Sequence, residues 1–267
     1  HDAASLLLDI GAEERDYKAG QFITIDPHQF GFLEQVIAYL EEIKGGREKP
    51  RAYSMGSAPH EPHILITVKE ERFWPGESKY PPVLSPPLSR HCPPGTELTI
   101  SGFTGPYTLP EDVTQKADTI LHLCAGSGIV PNFGLMKDSL HRGDGLRHIL
   151  LYSSKTRGDI FYYEQFAALA AAHPERLSIV HSLTREDPVD VHPASRRGRI
   201  DADLIATHIR DLSRCLVYCC GPGVLPWERK EARAAGTEPA PKFVETMINI
   251  LHQLGFEKGQ IKQESWG

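Results

Sequence analysis

The sequence has no apolar run near the roughly 18–20 residues that a bilayer-crossing helix needs, so no membrane span is expected. It has no excess of positive charge, since 29 Lys and Arg stand against 35 Asp and Glu for a net charge of −6. A phosphate backbone demands a basic face, which argues against nucleic acid as the main partner. Cysteine is scarce, with five in 267 residues. Cys92, Cys124, Cys215, Cys219 and Cys220 are odd in number and irregular in spacing. That argues against a disulfide framework and suits a reducing, cytoplasmic compartment. They also lack the C-x₄-C-x₂-C spacing of a plant-type iron–sulfur cluster. His60 and His63, like the other histidines, have no metal-ligand pattern around them, so no metal is assigned. The opening His1-Asp2-Ala3-Ala4-Ser5 has no basic segment leading into an apolar one, hence no visible secretory signal. It also lacks a Met and starts almost inside a strand-like stretch, which predicts that residues precede it.

What is present is a composition of 40% hydrophobic and 24% charged residues, that of a globular chain long enough for two domains. The front half reads as β. Ala3–Ile10, Gln21–Ile25, Ile64–Lys69 and Glu97–Ser101 are strand-like, separated by Gly and Pro. Leu33, Val36, Ile37 and Leu40 recur at i, i+3, i+4, i+7 ahead of Gly45-Gly46, which predicts a helix inserted over about 31–45. The Pro-rich stretch from Tyr80 to Pro87 is expected to be a loop. The back half changes period. Short apolar strands at Thr119–Cys124, His148–Ser153, Leu177–Leu183 and Cys215–Cys220 alternate with helices at Asn132–Arg142, Asp159–His173, Asp201–Leu212 and Phe243–Leu254. A last strand falls at Gln260–Glu264. Asp159 and Asp201 suit N-caps, and Gly143 and Gly255 suit helix stops. Such alternation predicts a parallel sheet with helices on both faces. The expected division is 1–114 and 115–267.

Three segments carry chemistry. Gly126-Ser127-Gly128-Ile129-Val130-Pro131 ends an apolar strand and opens a helix. Glycines there let the backbone approach a ligand, and the helix N-terminus offers N–H groups to phosphate. Pro131 near a helix start is comfortable because its missing N–H would be unpaired there. Arg51-Ala52-Tyr53-Ser54 combines a phosphate clamp, a ring that stacks and a hydroxyl. Cys220-Gly221-Pro222 ends another strand, where a small polarizable side chain followed by Gly leaves room for a flat ring. Taken singly, these also fit a plain βα turn, a half-exposed strand and a buried cysteine beside a turn.

In this order the three segments resemble the ferredoxin–NADP reductase superfamily, and the resemblance covers essentially the whole chain. The family carries R-x-Y-[ST], G-x-G-x-x-P and C-G-P at these places. Ala19-Gly20-Gln21-Phe22, Ile66-Thr67-Val68-Lys69, Pro94-Gly95-Thr96-Glu97-Leu98 and Gly102-Phe103-Thr104-Gly105-Pro106-Tyr107 are similar to further family segments. The resemblance implies an antiparallel β-barrel that binds flavin, then a doubly wound α/β domain that binds nucleotide, with the flavin lodged between them. It implies that Arg51 pairs with flavin phosphate, that Tyr53 packs on the ring with Ala52 beside it, and that Ser54 hydrogen-bonds near the hydride-accepting N5. Thr67, Val68 and Lys69 would line the flavin tail. Leu84-Ser85 falls at the end of the family's G-x-x-S, with Pro82 at the glycine position. Proline cannot donate an N–H, which leaves FMN as the alternative to the favoured FAD. Gly126, Ser127, Gly128, Ile129 and Pro131 would hold the nucleotide pyrophosphate. Cys220, with Gly221 and Pro222, would flank the nicotinamide, and Trp266 would stack in the same region. Arg157, Thr184 and Arg185 stand where a 2′-phosphate is held, which favours NADP(H) over NAD(H).

The activity implied is hydride transfer from NAD(P)H to flavin, with Ser54, Cys220 and Trp266 closest to the chemistry. Electrons would then pass singly to a protein acceptor such as a ferredoxin, a flavodoxin, a cytochrome or an iron–sulfur oxygenase component. Two rivals stay open: a flavin- or nucleotide-binding subunit that does not turn over, and a flavin-free dehydrogenase. The 31–45 helix and the stretch Leu225–Pro241 receive no role from the resemblance.

Overall fold

Of the chain, the computed structural model describes residues 2–11, 16–76, 78–187 and 195–266, and of Trp266 the backbone alone. It divides into two units, 1–108 and 109–267.

The first unit runs β1 (Ala3–Leu8), β2 (Phe22–Ile25), α1 (Glu34–Lys44), β3 (Arg51–Ser54), β4 (Ile64–Lys69), α2 (Ser85–Arg90) and β5 (Ile100–Thr104). β1 pairs antiparallel with β4, and β2 pairs antiparallel with both β3 and β5. An antiparallel bridge from Met55 to Ile66 links the two sheets. The expected barrel thus takes the form of two antiparallel sheets, which do not close into one among the described residues. The β2–β5 register slips at Phe22/Ile23, beside Gly102 and Phe103 at positive φ, and such a bulge bends a strand. Alternation puts Ile23, Ile25, Ile64 and Ile66 in the core, completely buried.

α1 forms as the periodicity predicts, and Gly45 stops it at φ 68° by donating its N–H to Glu41 and Glu42 carbonyls. Leu33, Ile37 and Leu40 are its buried face. Val36 lies off that face, exposed with Phe32, Tyr39 and Ile43. The Pro-rich stretch is not all loop, because Ser85-Pro86-Pro87 makes the first turn of α2. Proline is tolerated there since first-turn N–H groups have no helical partner. The strand expected at Glu97–Ser101 is displaced to Ile100–Thr104, after a turn in which Thr96 N–H bonds Pro93 O.

The second unit runs α3 (Val113–Lys116), β6 (Thr119–Ala125), α4 (Ile129–Arg142), β7 (Arg147–Ser154), α5 (Tyr163–Ala172), β8 (Leu177–Leu183) and β9 (Ser195–Arg197). It continues through α6 (Ala202–His208), β10 (Cys215–Pro222), α7 (Pro226–Ala234), α8 (Phe243–Gln253) and β11 (Ile261–Trp266). Six parallel strands lie in the order β11-β10-β6-β7-β8-β9. The chain enters at β6, winds outward to β9, then returns to the other side of β6 as β10. The carboxyl ends of β6 and β10 therefore flank the reversal of strand order, where open α/β sheets bind ligands. On one face Leu121, Leu123, Ile149, Leu151, Val217 and Cys219 pack with Leu204 and Ile205 of α6 and Val244, Met247 and Leu251 of α8.

Several boundaries differ from expectation. α4 begins at Ile129, so Pro131 lies inside its first turn. α5 starts at Tyr163, and Asp159 is not its cap. Instead the Asp159 carboxylate accepts the Thr156 N–H at 2.9 Å and closes a tight 3₁₀ turn. α6 stops at His208, four residues short of Leu212, but its cap is Asp201 as expected, accepting the Leu204 N–H at 2.8 Å. Helix α7 and the short edge strand β9 lack the apolar periodicity that reveals an element from sequence.

Candidate functional site

In the second unit the site begins where Ala125 leaves the sheet. Gly126 takes φ 54°, and Gly126–Gly128 forms one 3₁₀ turn before α4. A Cβ on Gly128 would lie 2.1 Å from Cys220 O and 2.6 Å from Gly221 N. The turn is thus pressed directly on the end of β10, and only glycine allows it. Gly221 is as tightly placed, since a Cβ there would come within 2.6 Å of the Phe243 ring. The expected nucleotide turn and the expected cysteine segment are therefore in backbone contact.

The turn's carbonyls are fastened inward. Tyr152 Oη donates to Gly126 O at 2.9 Å, and the Asn132 side-chain amide donates to Gly128 O at 3.1 Å. A trans peptide is planar, so fixing the Gly126 C=O inward turns the Ser127 N–H the opposite way. Pro131 carries no N–H and leaves no donor unpaired in the first helical turn.

Cys220 is completely buried on the strand face opposite Cys219, opposite Cys124 in β6 and Glu264 in β11. Burial, with Cys220 and Cys219 nearby, pushes the Cys124 thiol up. Glu264 is a residue that the sequence reading did not single out. Its carboxyl has a buried oxygen with no hydrogen-bond partner among the described residues, and burial raises its pKa to about 7. The cavity that it lines, about 330 Å³, is also lined by Arg229, Asn249 and Ser265. The available signal was a carboxylate within a strand that pairs with the cysteine strand, legible only once β11 is placed. Trp266 pairs with Pro222 through its backbone, and its side chain lies outside the described residues.

The loops after β7 and β8 are zipped together. Thr184 N–H bonds Ser154 O at 3.0 Å and Arg185 N–H bonds Lys155 O at 2.8 Å. The Arg157 N–H bonds Glu186 Oε2 at 2.6 Å, and its guanidinium lies 4.9 Å from the Tyr163 ring centre. Arg157, Thr184 and Arg185 are therefore neighbours, with Glu186 among them.

In the first unit, β3 presents Arg51 half-exposed, its guanidinium held by Glu48 at 2.6 Å and by Lys49 O at 2.5 Å. Glu48 is almost fully buried and also pairs with Lys44. Burial opposes its charge, but Lys44 and Arg51 outweigh that and hold its carboxyl below the usual range. Burial, then the Glu71 charge, pushes the Tyr53 phenol up, so it stays neutral. Ser54 Oγ is buried without a hydrogen-bond partner among the described residues. Ala52 faces Thr24 in the β2–β3 register. Thr67 shares a 2.9 Å hydrogen bond with Ser5, Val68 is in the core, and Lys69 lies 3.9 Å from Asp2. Leu84 is buried, and Ser85 Oγ accepts the Glu71 N–H at 3.0 Å, tying the start of α2 to the end of β4.

Among the described residues, no group of three or more His, Cys, Asp or Glu is placed to hold a metal. No helix among them is long and apolar enough to cross a membrane.

Residues 123–226 match the oxidoreductase NAD-binding domain family. The FAD/NAD-binding domain of a nitric oxide dioxygenase from Vibrio cholerae superposes with a TM-score of 0.69, at 20% identity, over 99% of this chain and 92% of that one. A ferredoxin–NADP⁺ reductase from Neisseria gonorrhoeae with bound FAD and NADP gives a TM-score of 0.63 at 17% identity, with 99% and 92% covered. The chain shares the fold of these two proteins. Among sequence relatives, an NADPH oxidoreductase of Mycobacterium tuberculosis is 30% identical over 88% of this chain and 54% of its own length. The ferredoxin reductase component of a 3-ketosteroid-9-alpha-monooxygenase from the same species is 29% identical over 71% of this chain and 47% of its own. The chain thus spans about half the length of these curated relatives.

Proposed function

We propose that this chain is the reductase part of an electron-transfer system, taking hydride from NAD(P)H onto a flavin and passing electrons to a protein acceptor. The observation that carries the reading is the contact of Gly128 with the Cys220–Gly221 backbone where the strand order reverses. It brings a phosphate-binding turn and a small polarizable side chain to one place, as a dinucleotide with its nicotinamide at the cysteine requires. The residues of the first unit fit a flavin. The buried, unpartnered Ser54 hydroxyl suits a polar ring edge, the neutral Tyr53 suits a flat ring face, and Arg51 suits a phosphate. A bound flavin supplies a two-electron acceptor able to release its electrons one at a time.

The chain's own task is alignment and charge. Ser127 and the first amides of α4 take the pyrophosphate, Cys220 lies beside the nicotinamide, and Ser54 donates to the flavin edge. FAD is favoured over FMN, with Thr67, Val68, Lys69, Leu84 and Ser85 beside its tail. Arg157, Thr184 and Arg185 favour NADPH over NADH through a 2′-phosphate. The acceptor is an iron–sulfur oxygenase component or a ferredoxin, a reading supported by relatives named as reductase components of monooxygenases.

The test is the absorption spectrum of the purified protein after incubation with FAD, recorded again after anaerobic NADPH. A yellow protein that bleaches is the expected result. One that stays yellow is a binding subunit, and one that takes up no flavin is neither. Arg185→Ala should lower NADPH preference over NADH, and an unchanged preference removes the NADPH assignment.

A further inference from the structure

Beneath the glycine turn runs a line of hydrogen-bonded side chains that the proposed function leaves unused. Asn132 and Ser139 stand on one face of α4, two turns apart, above His122 of β6 and His148 of β7. Asn132 Oδ1 lies 2.7 Å from His122 Nδ1, His122 Nε2 lies 2.9 Å from His148 Nδ1, and His148 Nε2 lies 2.7 Å from Ser139 Oγ. All four side chains are buried to within 1% exposure. Beyond Ser139 the line ends at Asp144, 2.8 Å from the hydroxyl, whose charge is held by Arg176 at 2.9 Å and by the Leu146 N–H.

The direction of the line follows from donor counting. The Asn132 amide spends its N–H on Gly128 O, so its oxygen accepts from His122 Nδ1–H. Burial keeps both rings neutral, His122 pushed down to about 4 and His148 well below its ordinary range. A neutral His122 that donates through Nδ1 accepts at Nε2 from His148 Nδ1–H, which leaves His148 Nε2 and the Asp144 carboxylate as alternative acceptors of the one Ser139 proton.

Such a line gives stability no advantage over apolar packing. Buried polar groups at best recover what desolvation costs, and β6 and β7 also bury the apolar Ile120 and Leu150 two residues from the histidines. What it does have is a defined end. It grips the carbonyl of Gly128, the residue that also bears on Cys220. An amide held at one end alone swings, whereas one held by Gly128 O and His122 does not.

We propose that His122 and Asn132 are positioning residues, which through the buried line from His148 hold the Gly126–Gly128 turn in the geometry that receives the nicotinamide dinucleotide. This rests on reading the second unit as the nucleotide-binding half. The test uses the full chain loaded with FAD, and reads the Kd of NADP⁺ and NAD⁺ by calorimetry. It also reads amide hydrogen exchange across residues 127–132 without nucleotide. Asn132→Ala and His122→Leu should speed exchange in the turn and weaken the tighter nucleotide about tenfold, the scale of a small misplacement. His122→Asn keeps a donor at the Nδ1 position and should return affinity to within about threefold of wild type. It also keeps the test open if His122→Leu fails to fold. Variants that lose melting temperature but keep wild-type Kd and exchange overturn the inference, as does His122→Asn binding as weakly as His122→Leu. Wild type binding neither nucleotide sinks the functional reading instead.

Discussion

The Gly126–Gly128 turn and strand β3 are finished to different degrees. Tyr152 and Asn132 hold the turn's carbonyls, and β10 bears directly on Gly128. β3 leaves the Ser54 hydroxyl buried with no hydrogen-bond partner among the described residues, and Arg51 tied to a buried carboxylate. On the proposed reading, the second unit fastens its turn with its own side chains, while β3 offers the Ser54 hydroxyl to the flavin.

The sharpest way to break this contrast is Gly128→Ala. Its Cβ would fall 2.1 Å from Cys220 O, which is backbone and cannot swing aside. A destabilisation of roughly 3 kcal/mol or more is expected, with nucleotide binding lost. A calorimetric transition within 1 °C of wild type would show that the turn is loose, not fastened.

Serine to alanine should then have opposite signs in the two units. Ser139→Ala removes the buried hydroxyl that His148 and Asp144 share and should cost about 1–3 kcal/mol by urea unfolding. Ser54→Ala removes an unsatisfied hydroxyl and should stabilise the flavin-free protein by about 1 kcal/mol while weakening FAD. Equal signs would erase the distinction.

pH separates two groups inside the second unit. Folded His122 binds its proton less readily than unfolded, so its stabilisation is present above 6.5 and is lost as pH falls towards about 4. Folded Glu264 binds its proton more readily, so its stabilisation is full below 4.5 and is lost as pH rises through about 7. Glu264→Gln should flatten the alkaline limb of melting temperature against pH, by at most about 3 kcal/mol, and leave the acid limb in place. The smallest effect expected is on Arg51. Glu48→Gln removes its orienting charge and should weaken FAD about threefold by fluorescence titration, the scale of a partly exposed ion pair.

Much of this was legible in the residues. Apolar periodicity located α1, Gly45 and Asp201 marked helix ends, and the strand-helix alternation of the second half is that of the sheet observed. The motif segments were found where the backbone turns or ends a strand. What failed had a common cause. Asp159 has the chemistry of a cap, but its carboxylate closes the turn before the helix. α7 is strongly polar and its Trp227 is exposed, so no apolar period revealed it. Val36 has the right spacing yet faces outward, because one turn of helix cannot tell which neighbour of Leu33 the core will take.

The order of residues alone determined which segments are strand, helix and turn, since φ preference, side-chain volume and apolar spacing act locally. It also determined that glycine stands at 126, 128 and 221. Why glycine is required at 128 was decided by tertiary structure, because the atom that excludes a side chain belongs to Cys220. The same holds for Glu264 beside Cys220, and for the path from Ser139 to Gly128. These pairings join residues distant in sequence, and no local preference encodes which strands become neighbours in a sheet.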